Sequence, residues 1–385
     1  MSTSAPPPPS RPRVFFVGVL PPPLTGMTAV SRAVLDELGR ACAVVSLSVT
    51  RPARLAGRTW SLYKQAALLP HYLRVAARAR TGDLVYGALS VGGGLFGDCA
   101  LALAARLRGA RLVLHHHSFF GIGAYDRRLA LLIRLAGPDV RHVLLGQDMR
   151  RTFHRLYGPR HAVVVGNDVW TRAALPAAEQ PRAALRTVGY LSNINRAKGI
   201  DLALDCFRRV AERAPETRFL IAGPVADAED QAGIDEFVAE DPDWRSHAGA
   251  VYGDAKAAFF DAIDLFVFPT RFAGEADPLV VHEAAGQGLP VLATRRGCVP
   301  ERVASPDDLA PDEEAFPAWA AERIVGWIRD PAAFSAASRD VLARRAERLE
   351  HMRRERADFL DLFAGASAGA ATPQSRSDAA ASAAT

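Results

Sequence analysis

Apolar and polar positions along this chain fall into two alternating patterns. Short, nearly continuous apolar runs at residues 13–20, 43–49, 84–89, 111–117, 142–145 and 162–165 read as strands buried on both faces. Longer stretches between them carry apolar residues at helical spacing, predicting helices over 29–38, 94–108, 125–135 and 147–156. Residues 171–186, with two prolines and many alanines, interrupt the alternation and read as a domain linker. It then resumes, with strands predicted at 187–191, 219–222, 250–252, 265–268 and 291–294. The helix at 200–213 is the clearest of the second half, with Leu202, Ala203, Cys206, Phe207 and Val210 on one face. Helices at 228–240, 256–263, 317–329 and 331–363 complete the set.

Such alternation in two halves predicts an α/β protein of two doubly wound domains facing across a cleft. The first spans 13–180, the second 181–335, and helices over 336–363 pack back toward the first domain. The Pro-rich residues 1–12 and the Ala/Ser/Gly-rich residues 364–385 read as disordered tails. Ligands of such domains lie beyond the carboxyl ends of the strands, so the loops there hold the candidate chemistry.

The most informative of these loops follows the strand at 265–268. Asp277 stands at an N-cap position and Pro278 at a first helical position, where no amide hydrogen is needed. Gly288 and Pro290 end the helix. A helix start at the end of a parallel strand presents amides suited to a phosphate, here from Leu279 and Val280. Glu275 and Glu283 flank it. A second phosphate-facing loop is Thr25-Gly26-Met27, with Thr28 expected as the N-cap of the helix that follows. Arg196, Lys198 and Gly223 lie in further strand-end loops. His115, His116 and His117 end another strand. Alternation of side chains prevents all three from converging on one ion, so one histidine aimed into the cleft is expected, His117 before His116.

Composition adds less. Net charge is +5, and no nucleic-acid motif accompanies it, which points away from nucleic acid. Four scattered cysteines form no paired motif, as expected in a reducing compartment and without structural zinc. No targeting signal is read, and the 84–107 stretch is better explained by a strand, a glycine loop and a helix than by a membrane span. The expected location is the cytoplasm. Residues 51–80 carry seven Lys or Arg and no acidic residue, interleaved with Trp60, Leu62, Tyr63, Leu68, Leu69, Tyr72 and Leu73. A segment of this kind suits peripheral contact with the inner face of an anionic membrane, or a lipid-linked phosphate; an arginine-rich solvated helix face is the alternative.

Together these residues resemble the retaining glycosyltransferases of GT-B fold, family four (glycosyl transferases group 1). The pattern of two glutamates with seven residues between them, then Ala, Gly and a Gly-x-Pro-Val strand, reads here as Glu275 to Glu283-Ala-Ala-Gly-Gln-Gly-Leu-Pro-Val291. The Lys-Gly loop reads Gly189 to Lys198-Gly199, the domain-joining segment Gly166-Asn167-Asp168, and the N-terminal loop Thr25-Gly26-Met27. Two departures stand out: Tyr190 where an arginine often follows the glycine, and Asp277-Pro278 where Phe-Gly is usual.

The resemblance implies a GT-B architecture of two Rossmann-like domains. It also implies transfer of a hexose-type sugar from a nucleotide-diphosphate donor to an acceptor hydroxyl, with retained configuration. No cofactor and no obligatory metal are expected, the sugar nucleotide being a co-substrate and the acceptor a glycan, glycolipid or small molecule. In these terms Lys198, Arg196 and the amides near Gly26, Leu279 and Val280 stabilise the leaving phosphate. Glu283 binds the ribose hydroxyls, Glu275 the donor sugar, and His117 lies near the acceptor. Neither glutamate need be a nucleophile, and the hydrolase scheme is not carried over. Another sugar-nucleotide enzyme of this fold (an inverting transferase or an epimerase) and a non-catalytic sugar-nucleotide-binding protein remain open at this point. A dehydrogenase is disfavoured by the missing Gly-x-Gly-x-x-Gly fingerprint.

Overall fold

The computed structural model describes residues 11–55, 57–171 and 178–364. Nearly all of the two expected tails and residues 172–177 of the expected linker lie outside the described residues. The first half runs β1 (Arg13–Val19), α1 (Gly26–Ala41), β2 (Ala43–Val49), α2 (Gly57–Arg78), β3 (Leu84–Ala88) and α3 (Leu95–Leu107). It continues through β4 (Arg111–His115), α4 (Arg127–Ala136), β5 (Arg141–Leu144), α5 (Gln147–Tyr157), β6 (His161–Val164) and the short α6 (Asp168–Thr171). The second half runs β7 (Thr187–Leu191), α7 (Ile200–Ala211), β8 (Arg218–Ala222), α8 (Ala228–Glu240), β9 (Arg245–His247) and α9 (Gly253–Ala262). After it come β10 (Leu265–Phe268), α10 (Leu279–Gly286), β11 (Val291–Ala293), α11 (Phe316–Arg329) and α12 (Pro331–Ala364).

Among the described residues the strands form two parallel sheets, ordered β2-β1-β3-β4-β5-β6 and β11-β10-β7-β8-β9. Each is covered on both faces, which is why strands such as Leu265–Phe268 are apolar throughout and wholly buried. In the first domain α2, α3, α4 and α5 pack on one face, while α1 and the end of α12 cover the other. The order reverses next to β1 in one sheet and next to β7 in the other, so both switch points open toward the same cleft.

Two expectations need correction. The helix after β1 starts at Gly26 with Thr25 as its cap; Thr28 is the reciprocal member of the capping box, Thr28 N donating to Thr25 Oγ1 at 3.3 Å and Thr25 N to Thr28 Oγ1 at 2.9 Å. The strand expected at 250–252 is instead β9 at Arg245–His247, an edge strand whose polar sequence carries no apolar run. Residues 331–364 form one continuous helix. No helix among the described residues is long and apolar enough to cross a membrane.

That last helix ties the halves together. It leaves the second domain at Phe334, buried in the core there, and ends with Phe359, Leu362 and Phe363 buried against the first sheet. Phe359 meets Trp170 at 4.7 Å and Phe363 at 5.1 Å between ring centres. Replacing it with alanine empties a packed aromatic site, so Phe359→Ala should cost roughly 3–5 kcal/mol of first-domain stability. Thermal unfolding should show a lowered midpoint; an unchanged midpoint would show that the helix end adds nothing to that core.

Candidate active site

The capping box that starts α1 uses the two threonine hydroxyls locally and leaves the first turn free of acidic residues. Across the cleft α10 starts just after Pro278, again without an acidic residue in its first turn. The two starts meet, since a Cβ on Gly26 would lie 3.8 Å from the Leu279 side chain. Two positive helix ends therefore face one space, with the amides of their first turns lacking intrahelical acceptors.

A charged pair sits beside them. Asn195 caps the turn at Arg196–Lys198 by accepting from Lys198 N, and Gly199 follows in the left-handed region. Only glycine fits there, as a Cβ would fall 2.0 Å from the Pro269 carbonyl oxygen. This approach delivers Lys198 Nζ to Glu275 Oε2 at 2.6 Å and over the Phe272 ring at 4.7 Å. Thr270 Oγ1 donates to the same carboxylate oxygen at 3.1 Å. Gly223 plays a similar backbone part at the end of β8, where a Cβ would collide with the Ser192 carbonyl.

The first domain contributes the loop after β4. Ser118 Oγ donates to the Gly274 carbonyl at 3.0 Å, Phe119 N does so at 3.3 Å, and Phe120 packs edge-on against Phe272. His117 is thereby held next to the segment that carries Glu275. Its two ring nitrogens have no partner among the described residues, and burial lowers its pKa to about 4. It is neutral near pH 7 and offers one donor and one acceptor. His115 bonds to the Tyr86 hydroxyl at 2.7 Å and His116 to His142 at 2.9 Å, so both are spent in the core.

Other expected donor residues lie elsewhere. Asp277 is not the cap of α10: Pro278 occupies that position with no side-chain cap. The Asp277 carboxylate turns toward the domain junction, where Arg302 Nε donates at 2.7 Å, His282 Nε2 lies at 2.8 Å and Asn167 N donates at 2.6 Å. Burial opposes its charge, but Arg302 and His282 outweigh that and hold the carboxyl far below the usual range. Proline at the next position does not exclude a cap, which accepts from amides further on; the buried Arg302 guanidinium and the His282 ring draw the carboxylate away from the helix start. Arg196 points to solvent, 3.6 Å from Glu229. Glu283 is held by Lys256 Nζ at 2.6 Å, and burial raises its pKa despite that partner.

The junction itself was not anticipated. Arg302 also donates to the Leu145 carbonyl at 2.5 Å, and Arg348 of α12 grips both oxygens of Asp168 at 2.6 and 2.7 Å. Asp168, Asp277 and His282 converge as a metal-ligand set might be drawn, yet the two guanidiniums already supply the counter-charge. Lys256 had a legible signal. The chain has three lysines among 47 basic residues, and Lys64, Lys198 and Lys256 all sit in contacts to partly buried groups: Ser90, Glu275 and Glu283. A compact ammonium at those places, in a chain that otherwise uses arginine, marks them.

A family model described as glycosyl transferases group 1 matches residues 185–330, the whole donor-side domain. This stretch of the second domain is thus similar to the group 1 glycosyltransferases. The phosphatidylinositol N-acetylglucosaminyltransferase gpi3 subunit of Schizosaccharomyces pombe is 27% identical over 222 residues, covering 54% of this chain and 48% of that protein. The chain thus spans about half the length of this curated relative. Anabaena HepE, solved with UDP, superposes with a TM-score of 0.65 at 16% identity, covering 91% of this chain and 100% of that one. Sucrose-phosphate synthase from Thermosynechococcus elongatus gives a TM-score of 0.60 at 15% identity over the same shares. The fold is GT-B.

The buried histidines give the protein a pH signature. Burial depresses the pKa values of His115 and His116 well below the ordinary value, of His117 to about 4 and of His142 to about 3. In the unfolded chain they take up protons near pH 6.5, while in the folded chain burial keeps them unprotonated well below that pH. Stability is therefore full above about pH 6.5 and is lost as pH falls from there toward 4, by about 1.4 kcal/mol per pH unit for each histidine. The melting temperature should fall steeply between pH 7 and 5, and less steeply in a His116→Phe, His142→Leu variant. Equal slopes would mean that the pair does not carry the effect.

Proposed function

We propose that this glycosyltransferase moves a hexose-type sugar from a nucleoside diphosphate donor to an acceptor hydroxyl with retention of anomeric configuration. The acceptor is a lipid-linked or polysaccharide precursor, and no metal is obligatory. One observation carries the reading: the Lys198–Glu275 pair, closed at 2.6 Å four residues before α10 begins and beside the start of α1.

The bond from the sugar's C1 to the diphosphate oxygen breaks, and charge grows on the departing phosphate. Lys198 and the amides starting α1 and α10 take up that charge. As Lys198 turns to the phosphate it releases Glu275, whose carboxylate then accepts from the donor sugar's hydroxyls. The acceptor oxygen bonds to C1 from the same face, and its proton passes to the departing phosphate oxygen. His117, neutral and unpartnered, lies where it can orient the acceptor hydroxyl and the sugar. Glu283, fixed by Lys256, serves the ribose hydroxyls. With Asp277 withdrawn into the junction, no carboxylate of the α10 start repels the diphosphate. HepE was solved with UDP, and the S. pombe relative is named for N-acetylglucosamine transfer to phosphatidylinositol. Uridine diphosphate sugars are therefore the first donors to test.

Release of nucleoside diphosphate should be measured over a small panel of uridine and guanosine diphosphate sugars, with the product anomer read by NMR. Lys198→Ala and Glu275→Gln should each lower kcat about 10²–10³-fold with little change in melting temperature. A Glu275→Gln enzyme of unchanged kcat would remove Glu275 from the site, and an inverted anomer would overturn retention.

A further inference from the structure

In α2 the residues facing the sheet are Leu68, Tyr72 and Val75, all buried. A second apolar stripe runs along the same helix on its solvent side, through Leu62, Leu69 and Leu73, which are 74%, 53% and 62% exposed. The neighbouring α3 repeats the pattern. Its buried stripe includes Cys99 and Ala102, while Phe96, Leu103 and Leu107 are 60%, 42% and 76% exposed. Spacings of seven and four residues keep each exposed set on one helix face. Two adjacent helices thus carry apolar stripes that nothing in the chain covers among the described residues.

The charges around the stripes are of one sign. Arg74, Arg78, Arg80, Arg106 and Arg108 are exposed, and none has a carboxylate partner among the described residues. Residues 51–125 hold two carboxylates, Asp83 and Asp98, and both are buried. Asp83 is consumed by Arg13, and Asp98 accepts from the Ser90 amide. Trp60 and Tyr63, ring centres 6.1 Å apart, lie at one end of α2, where amphipathic rings suit a lipid–water boundary. A protein partner of ordinary composition would meet unpaired guanidiniums here; an anionic lipid surface would neutralise them and take up the leucines.

We infer that the exposed α2–α3 face docks this enzyme on the surface of an anionic bilayer. Both helices return antiparallel to their strands, so their first turns, with Trp60 and Phe96, lie at the carboxyl end of the sheet where the cleft opens. Docking therefore brings the acceptor side of the cleft to the lipid surface. The inference rests on the proposed transfer only for the use made of that cleft.

The full-length chain should be floated with vesicles of phosphatidylcholine alone and of phosphatidylcholine with phosphatidylglycerol. The expected result is binding to the anionic vesicles that weakens with added salt, with little binding to the neutral ones. Leu69→Glu with Leu73→Glu, and separately Leu103→Glu with Leu107→Glu, should each cut the bound fraction at least ten-fold, with melting temperatures near that of the parent. Absence of binding by the parent chain, or undiminished binding by both variants, would overturn the inference. So would a dimer in solution that both variants dissociate while no vesicle binding is seen, which would assign the face to a second copy. Nucleoside diphosphate release to a soluble acceptor, measured without vesicles, reads the transfer separately: its absence alongside vesicle binding would count against the proposed chemistry and not against the docking face.

Discussion

The arrangement of the cleft depends on one buried ion pair, Arg302 with Asp277. Neither charge is accessible, and burial of both is costly unless each finds full partnership. Asp277 obtains it from Arg302, His282 and the Asn167 amide. Arg302 obtains it from Asp277 and the Leu145 carbonyl. Two of these partners, Asn167 and Leu145, belong to segments that end the first sheet, and the rest belong to the second domain. The charges can be satisfied together only when the domains sit as they do. Glu301, next in sequence, reinforces the junction by accepting from the Gln147 and Asp148 amides, so a second-domain carboxylate caps α5 of the first domain. Gly146 permits this, because a Cβ there would fall 2.5 Å from Cys298 Sγ.

This junction also sets the electrostatics of the donor space. An aspartate two residues ahead of a helix start is ordinarily a cap, and its charge would cancel the positive end of α10. Drawn back to Arg302, it leaves that end uncapped while the carboxylate stays charged at any ordinary pH. Glu275, just ahead of that helix start, is already neutralised by Lys198. The site is thus close to neutral when empty, and an incoming diphosphate competes for an ammonium already in place.

Much of the fold was legible because both sheets are covered on both faces, so that strands such as Phe266 to Phe268 become apolar runs that need no context. β9 failed that test because an edge strand of Arg-Ser-His pairs through its backbone and buries little. The start of α1 was misjudged for a different reason. A Thr-x-x-Thr capping box is symmetric in residue type, and only the backbone angles at Thr25 show which threonine is outside the helix. The position of Lys198 was legible because local backbone geometry sets it, just ahead of the left-handed Gly199. It was not legible for Asp277, because its partner Arg302 is one arginine among many and reaches it only after folding. The family model matches the second domain, while the roles of the individual residues rest on the geometry alone.

The exposed stripes of α2 and α3 show a further limit on reading pattern. Apolar residues at helical spacing normally define the face that meets a core, and both helices satisfy that rule with one stripe each. A second stripe of the same period is indistinguishable in sequence from a wider buried face. What separates them is the sheet, which has room for one face of each helix and leaves the other to solvent. The arginines then become informative. On a helix with one apolar stripe they are what any solvated face requires, but beside a second, uncovered stripe and without surface carboxylates they specify the sign of what covers it. Because the helices begin at the cleft and α12 locks the first domain to the second through Phe359 and Arg348, the orientation of this face also fixes where the donor site stands relative to whatever it contacts.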